Sequence, residues 1–249
     1  MEKKIYNYAL DADKETLGQF KECYSHDFVT AAALMPDAHK GYTAPIGSVL
    51  ITKNFVVPAW VGFDIGCGLI AVKIKGKNIL EKIKKNIDKI YNEVNKKIPM
   101  GLGRYNSEKN ISEKTKKEFK KILARFESKP YDKNILQYLK SSALKNLGTL
   151  GSGNHFIELC SIYKEKEVWI VIHSGSRGIG HEVAKKYMIK ASQSKKDFEK
   201  TFPLDVKSEI GKQYLNILDF GLDYALLNRL EMSYKVVEVI ENVLDDACT

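Results

Sequence analysis

Glycine is concentrated in a few short segments, and this limits how the chain can fold. MPDAHKGYTAPIG (35–47), VGFDIGCG (61–68) and the pair LGTLGSGNHF (147–156) and VIHSGSRGIGHE (171–182) also hold most of the polar residues that suggest chemistry. Stretches with so few side chains cannot fill a core, so they are read as turns between elements that do. Strand-like runs flank them: SVLIT (48–52) and LIAVKI (69–74) before the middle of the chain, HFIELC (155–160) and EVWIVIH (167–173) after it. Residues 78–145 read as helices. Ile79, Ile83, Ile87, Ile90 and Val94 recur at spacings of three and four, as do Phe119, Ile122, Leu123 and Phe126, while PMGLGRYNSEKN (99–110) reads as a loop. From Gly180 onward the pattern is mostly helical, with Pro203 as a break. Strands from both flanks are expected to share one sheet, which would bring the glycine turns together. The expected fold class is α+β: a single domain over residues 1–249 with mixed sheets, Gly-rich active-site turns and a helical insert at about 75–145.

That insert carries the basic excess. Residues 73–145 hold 21 Lys and Arg against 8 Asp and Glu, an excess of +13. Residues 1–72 hold 6 against 8, and residues 146–249 hold 13 against 15. The excess reads either as a solvated helical face or as a phosphate-attracting surface beside a site built by the flanks. With 44% apolar and 29% charged residues the chain has the composition of a globular protein. No run has the apolar length of a bilayer span, and MEKKIYNYALDADKE lacks a signal-peptide core, so a cytoplasmic location without membrane association is expected. The scattered Cys23, Cys67, Cys160 and Cys248 are expected as buried thiols or a ligand rather than disulfides.

Asp64, Cys67, His155 and His173 form a plausible set for a first-row divalent ion, the carboxylate favouring manganese and the thiolate zinc. Cys67 and Asp64 share one turn, His155 opens a strand and His173 closes another. No CxxC or HxxxH spacing accompanies them, and each residue alone has an ordinary structural reading. SGSRGIGHE reads as an anion nest with Ser174, Ser176, Arg177 and a helix from about Gly180, or else as a tight turn whose Arg pairs with a carboxylate. Ser176 lacks a GxSxG elbow, and no Rossmann unit is visible. Cys23, Cys160 and Cys248 are expected to be structural or incidental and His26 a surface residue. In LDYALLNRLEM (222–232) the Leu and Ala residues read as core and Asn228–Arg229 as the polar face.

MPDAHKGYTAPIGSVL, VGFDIGCG, GTLGSGNHFIEL and HSGSRGIGHE occur in this order and together resemble the RtcB-type RNA ligases; LDYALLNRLEM resembles a later helix of that family. The resemblance covers roughly residues 30–235. It implies a GTP- and Mn²⁺-dependent ligase that joins RNA 3′-phosphate or 2′,3′-cyclic phosphate ends to 5′-hydroxyl ends in tRNA splicing and RNA repair. Residue by residue, it implies that Cys67 bridges two ions, that Asp64 binds one of them, and that His155 and His173 add imidazole ligands. Zn²⁺ is admitted in place of Mn²⁺. Asn154, His155, Phe156, Ile157 and Glu158 would line the guanylate site. Arg177 would hold a phosphate, with Asp37 and His39 in a supporting role at the active site. RNA is the implied partner, and an archease-like activator or a separate C-terminal portion is admitted beside it.

The family's chemistry passes through a histidine that becomes guanylylated, and a further histidine completes its metal set; here no His follows His181. The resemblance therefore leaves three expectations for the chain as it stands: a truncated ligase, one half of a split ligase, or a non-catalytic metal- and RNA-binding paralogue. A metal-dependent phosphoesterase using water as nucleophile is a further alternative. With His155 and His173 as ligands, His39 is the remaining candidate acceptor at the active site, and nothing in the resemblance gives it that role. The 249-residue chain incubated with manganese and GTP is expected to bind nucleotide weakly and to form no covalent adduct. An acid-labile, labelled guanylate on this chain would overturn that expectation.

Overall fold

The computed structural model describes residues 3–162 and 167–245; Cys248 lies outside them. The chain divides into two compact units, residues 1–63 with 182–216, and residues 64–181 with 217–249.

The first unit holds β1 (Lys4–Asn7), α1 (Lys14–Ser25), β2 (Val29–His39) and β3 (Ile46–Thr52). β2 is central, parallel to β1 and antiparallel to β3. Asp13 caps α1, its side chain accepting the Thr16 N–H at 2.7 Å. Phe20 of α1 packs with Val29, Ala32, Leu34 and Ala38 of β2 in a small core. β4 (Phe55–Val56) pairs with β8 (Leu204–Asp205), and the short α2 (Pro58–Val61) follows β4 with proline at its start. His26, expected on the surface, is half-buried: its ring stacks on Phe28 at 5.1 Å and lies 5.8 Å from Trp60. Hydrophobic contact with two aromatic faces outweighs the ring's polarity here. Cys23 is buried, as expected of a structural thiol.

The second unit is built on a three-stranded antiparallel sheet in the order β5 (Gly68–Ile74), β7 (Glu167–Ser174), β6 (Phe156–Ile162). Strands from both flanks of the helical segment thus share one sheet, as the sequence indicates. β7 alternates strictly: Val168, Ile170, Ile172 and Ser174 are buried, whereas Trp169, Val171 and His173 face the other way and are half-buried. Between β5 and β6 lie α3 (Ile79–Lys85), α4 (Ile87–Lys97), α5 (Glu113–Glu127) and α6 (Lys133–Asn146). Ile79, Ile83, Ile90 and Val94 join the sheet residues in one core with Met232, Val236, Val239 and Ile240 of the long α8 (Glu209–Leu244). Ile87 departs from its expected place and is 43% exposed. Asn86 leaves helical geometry at φ −115°, ψ 15°, ending α3 and starting α4, so the four-residue step from Ile83 does not continue around one cylinder. A second cluster joins Phe119 and Phe126 of α5 to Phe220 and Tyr224 of α8.

α7 (Arg177–Ser192) follows β7, and the boundary between the units falls within α7 and α8. α7 begins at Arg177 rather than near Gly180. Among the described residues no helix is long and apolar enough to cross a membrane. The lysines of the insert lie mostly outside this core, so the two residue classes should respond differently to substitution. Ile170→Ala, at a fully buried position, is expected to cost about 2–5 kcal/mol in denaturant unfolding. Lys89→Ala, on the exposed side of α4, should change stability by less than about 0.5 kcal/mol.

Candidate metal centre

Sheet register gathers the donors of the second unit. Cys67 immediately precedes β5, His155 immediately precedes β6, and His173 is the penultimate residue of β7. His173 pairs with Leu69 on one side and Phe156 on the other, so the three donors meet at one end of the sheet. The Cys67 Sγ lies 3.0 Å from His173 Nε2 and 3.6 Å from His155 Nε2, and the three donor atoms all fall within 4.8 Å of one another. Donors at about 2.0–2.3 Å from one tetrahedral ion stand about 3.5 Å apart, so the spacing suits a common ion after small side-chain adjustments. Asp64 stands at the edge of this trio, its Oδ2 2.9 Å from His155 Nε2.

The second nitrogen of each imidazole is held by backbone. His173 Nδ1–H donates to the Asn154 carbonyl at 3.1 Å, which leaves the Nε2 lone pair directed at the thiol. His155 is more constrained. Its Nδ1 lies 3.1 Å from the Leu150 carbonyl and 3.1 Å from Arg177 Nη1, and one nitrogen cannot donate to the first while accepting from the second. The choice is tied to Nε2. A proton on Nε2 donates to Asp64 and lets Nδ1 accept from Arg177. A free Nε2 lone pair, as a metal requires, puts the proton on Nδ1, facing Leu150. The Leu150 carbonyl also accepts from Ser174 Oγ at 3.1 Å, so it keeps a partner in either state.

Burial opposes the charge of Asp64, but the hydrogen bond and charge of His155, with help from Cys67 and Arg177, outweigh it and hold the carboxyl below its usual value. Burial first, and the Asp64 carboxylate second, push the Cys67 thiol up to about 11. Burial lowers the Arg177 guanidinium, against the opposing pull of Asp64. Two glycines make room for these charges. A Cβ on Gly175 would overlap the Asp64 carboxylate, and one on Gly151 would overlap the Arg177 guanidinium. Arg177 itself has φ 59°, an uncommon backbone for a residue with a side chain, at the first position of α7.

The expected nest is only partly formed as read. Ser174 and Ser176 are fully buried, so their hydroxyls do not line an open anion site. Ser174 faces the core because the alternation of β7 turns it inward. Of the expected guanylate residues, Asn154 is exposed and lends its carbonyl to His173, while the Phe156 ring stands 5.4 Å from that of His173. Phe156, Ile157 and Glu158 line a largely apolar pocket of about 390 Å³ together with Tyr91 and Met100. Asp37 and His39 belong to the first unit. They lie at the exposed end of β2 rather than in a turn, with His39 Nδ1–H donating to the Asp37 carbonyl at 3.0 Å.

The pattern of LDYALLNRLEM assigns Asn228 and Arg229 to the polar face of the helix; the structure buries both. Asn228 is fully buried and Arg229 is 8% exposed, whereas Leu222 and Leu226 point outward. Asn228 accepts from the Thr149 N–H and donates to the Thr149 carbonyl, both at 3.2 Å, and donates to the Gly175 carbonyl at 3.3 Å. Arg229 Nη1 donates to the carbonyls of Gly66 at 2.7 Å and Ser174 at 2.6 Å. One helix therefore holds all three turns that carry the donors. The signal for this was the density of glycine itself, since bare turns leave backbone carbonyls that need partners.

The family described as tRNA-splicing ligase RtcB matches residues 19–249. The chain is 32% identical over 221 residues to the RNA-splicing ligase RtcB of Escherichia coli K12, covering 85% of this chain and 53% of that protein. It is 30% identical over 266 residues to the tRNA-splicing ligase RtcB of Nanoarchaeum equitans, covering 85% and 52%. It is 28% identical over 254 residues to that of Thermococcus kodakarensis, covering 84% and 52%. The chain spans about half the length of the curated relatives it matches. By the extent of these matches, and with the donors lying in the motifs that suggested the resemblance, the chain belongs to the RtcB family.

Proposed function

We propose that this chain supplies the metal- and nucleotide-binding part of an RNA ligase that joins 3′-phosphate or 2′,3′-cyclic phosphate ends to 5′-hydroxyl ends, using GTP and Mn²⁺. The observation that carries the reading is the meeting of one thiol and two imidazole Nε2 atoms at a single sheet end, with a carboxylate beside them. Cys67, His155, His173 and Asp64 would hold the metal; when bound, it neutralises phosphate charge and draws the thiol into its thiolate form. Zn²⁺ suits the thiolate and imidazoles, and the adjoining carboxylate broadens the set toward Mn²⁺.

The chain's own residues have distinct tasks. The backbone carbonyls of Asn154 and Leu150 orient the two imidazoles. Arg177, close to Asp64 and His155, brings a fixed positive charge to a phosphate approaching the centre. The pocket lined by Phe156, Ile157 and Glu158 has room for a purine base, with the Glu158 carboxylate available to base N–H groups. Asp37 and His39 keep the supporting role that the family motif implies. The lysines of the insert would draw RNA by its phosphates; pairs such as Lys96–Glu93 and Lys116–Glu113 offset only part of their charge.

Two measurements test the reading. In the metal-free protein a thiol near 11 is protonated at neutral pH, so an ion binding to sulfur must release that proton. Affinity for Co²⁺ or Mn²⁺ should therefore rise about tenfold per pH unit between about pH 7 and 9, and Cys67→Ser should remove both this slope and the sulfur-to-cobalt absorption band. A pH-independent affinity, or an unchanged band in Cys67→Ser, would contradict the thiolate assignment. RNA binding should also fall steeply with salt. If about five phosphates are neutralised, the logarithmic slope is about −3.5, a loss of roughly 100-fold between 50 and 200 mM. A flat salt dependence would reduce the basic segment to a solvated surface.

A further inference from the structure

One face of the sheet in the first unit is apolar and uncovered. Alternation along the strands turns Ala32, Leu34 and Leu50 toward the small core with Phe20 of α1. It turns Tyr6, Ala31, Ala33, Val49 and Ile51 to the opposite side. Tyr6 pairs with Ala33 and Ala33 with Val49; Lys4 pairs with Ala31 and Ala31 with Ile51, so these residues form two rows across the sheet. Tyr8 and Met35 extend the face by one more step. The Tyr8 N–H donates to the Leu34 carbonyl at 2.8 Å, and its ring lies parallel to that of Tyr6 with centroids 6.1 Å apart. Tyr6, Tyr8, Met35, Val49 and Ile51 are each 39–56% exposed, and Lys4 carries the only charge among these side chains. The ammonium of Lys3 is engaged elsewhere, donating to the carbonyls of Tyr24, Ser25 and His26. A face that exposes aromatic and branched aliphatic side chains with so little charge is unlike the polar outer face of a solvated sheet, and it marks a contact surface.

We propose that this face pairs with the same face of a second copy of the chain. The pattern along the strands is complementary to itself. A two-fold axis crossing the strands at Tyr6 lays β1 of one copy antiparallel over β1 of the other. Tyr6 then meets its own counterpart, Lys4 lies over the Tyr8 ring of the second copy as a cation on an aromatic face, and the small Ala31 faces the long Met35. The five large side chains expose the equivalent of about two and a half whole ones, roughly 500 Å² per copy at about 200 Å² each. About 1,000 Å² across the pair is at the lower bound for a specific interface, so the association falls in the micromolar range. Single-stranded RNA stacked on the two tyrosines fits less well, because a strand needs cations along its backbone and Lys4 alone faces it. The half of the family's length that this chain does not span is a further competitor for the face, and the match of the face with itself favours a second copy. The pairing uses residues of the first unit alone and does not depend on the metal centre or the ligase reading.

Sedimentation velocity of the 249-residue chain, from about 1 to about 200 µM, tests the pairing. A reversible monomer–dimer equilibrium is expected. Val49→Lys and Ile51→Lys, each at a half-exposed position, should weaken the dimer at least about tenfold by placing a charge inside the buried face, with circular dichroism unchanged. Tyr8→Ala, just beyond the end of β1, should weaken it similarly and decides the matter if both lysine variants unfold. Leu226→Lys, at an exposed leucine of α8 outside the face, should leave the dimer as tight as before. A chain that stays monomeric throughout overturns the pairing, whether the face then takes RNA or a polypeptide from the remaining half of the family's length. Open-ended aggregation in place of a discrete dimer overturns it too. So does a dimer that the folded face variants leave unchanged, since it must then be joined elsewhere.

Discussion

The turns that carry the donors of the second unit are held by two side chains of α8. Arg229 binds the carbonyls of Gly66 and Ser174, and Asn228 binds Thr149 and Gly175, so each glycine-rich segment around the centre is tied to the same helix turn. Hydrogen bonds from a charged donor contribute about 1.5–3 kcal/mol each, and leaving a buried carbonyl without a partner costs a comparable amount. Glycine alone would leave these segments free to sample many conformations. The clamp selects one, and Cys67, His155 and His173 inherit their separations from it. Burying a guanidinium is expensive, and the strain shows in the unpartnered Nε of Arg229 and in its lowered basicity, which burial causes.

Much of this was legible in the residues. The four strands named beside the glycine turns are present, the flanks share a sheet, and the buried isoleucines of α3 and α4 follow the helical spacing. Four of the departures share one cause. Ile87, Ser174, Asn228 and Arg229 were each assigned by side-chain polarity or by a continued period, and each was reassigned by the backbone. Asn86 interrupts the helix before Ile87, β7 alternation turns Ser174 inward, and unpaired carbonyls draw Asn228 and Arg229 into the core. Periodicity reports which residues can be buried together. It carries no information about which carbonyls a distant turn leaves open.

The donor positions follow from register rather than from spacing in sequence. Cys67 and His155 are separated by 88 residues, yet each lies one position before a strand that flanks β7. Because His173 pairs with both neighbouring strands, a shift of either strand by one residue would turn its donor away. The helical insert supplies the apolar face that covers the other side of this sheet, and so helps to fix that register. Its isoleucines therefore bear on the geometry of the centre, whereas its lysines lie mostly outside that core.

α8 also carries a buried lysine beyond the residues that hold the turns. Asn228 and Arg229 face the turns, Glu231 caps α5 through Ser112, and Lys235 lies one turn beyond Glu231. At 1.5 Å per residue, Arg229 and Lys235 are about 9 Å apart along the axis. A helix buried over this length resists bending, because its side chains are locked by close packing on several faces. The same rigid element thus sets the backbone that orients the candidate metal donors and holds Lys235 against the Gly148 turn. The Lys235 ammonium is closed off from solvent, with Glu231 3.8 Å away, while Glu231 and Ser112 satisfy one another. The geometry of the candidate donors and the packing of a buried ammonium are thus carried by one helix.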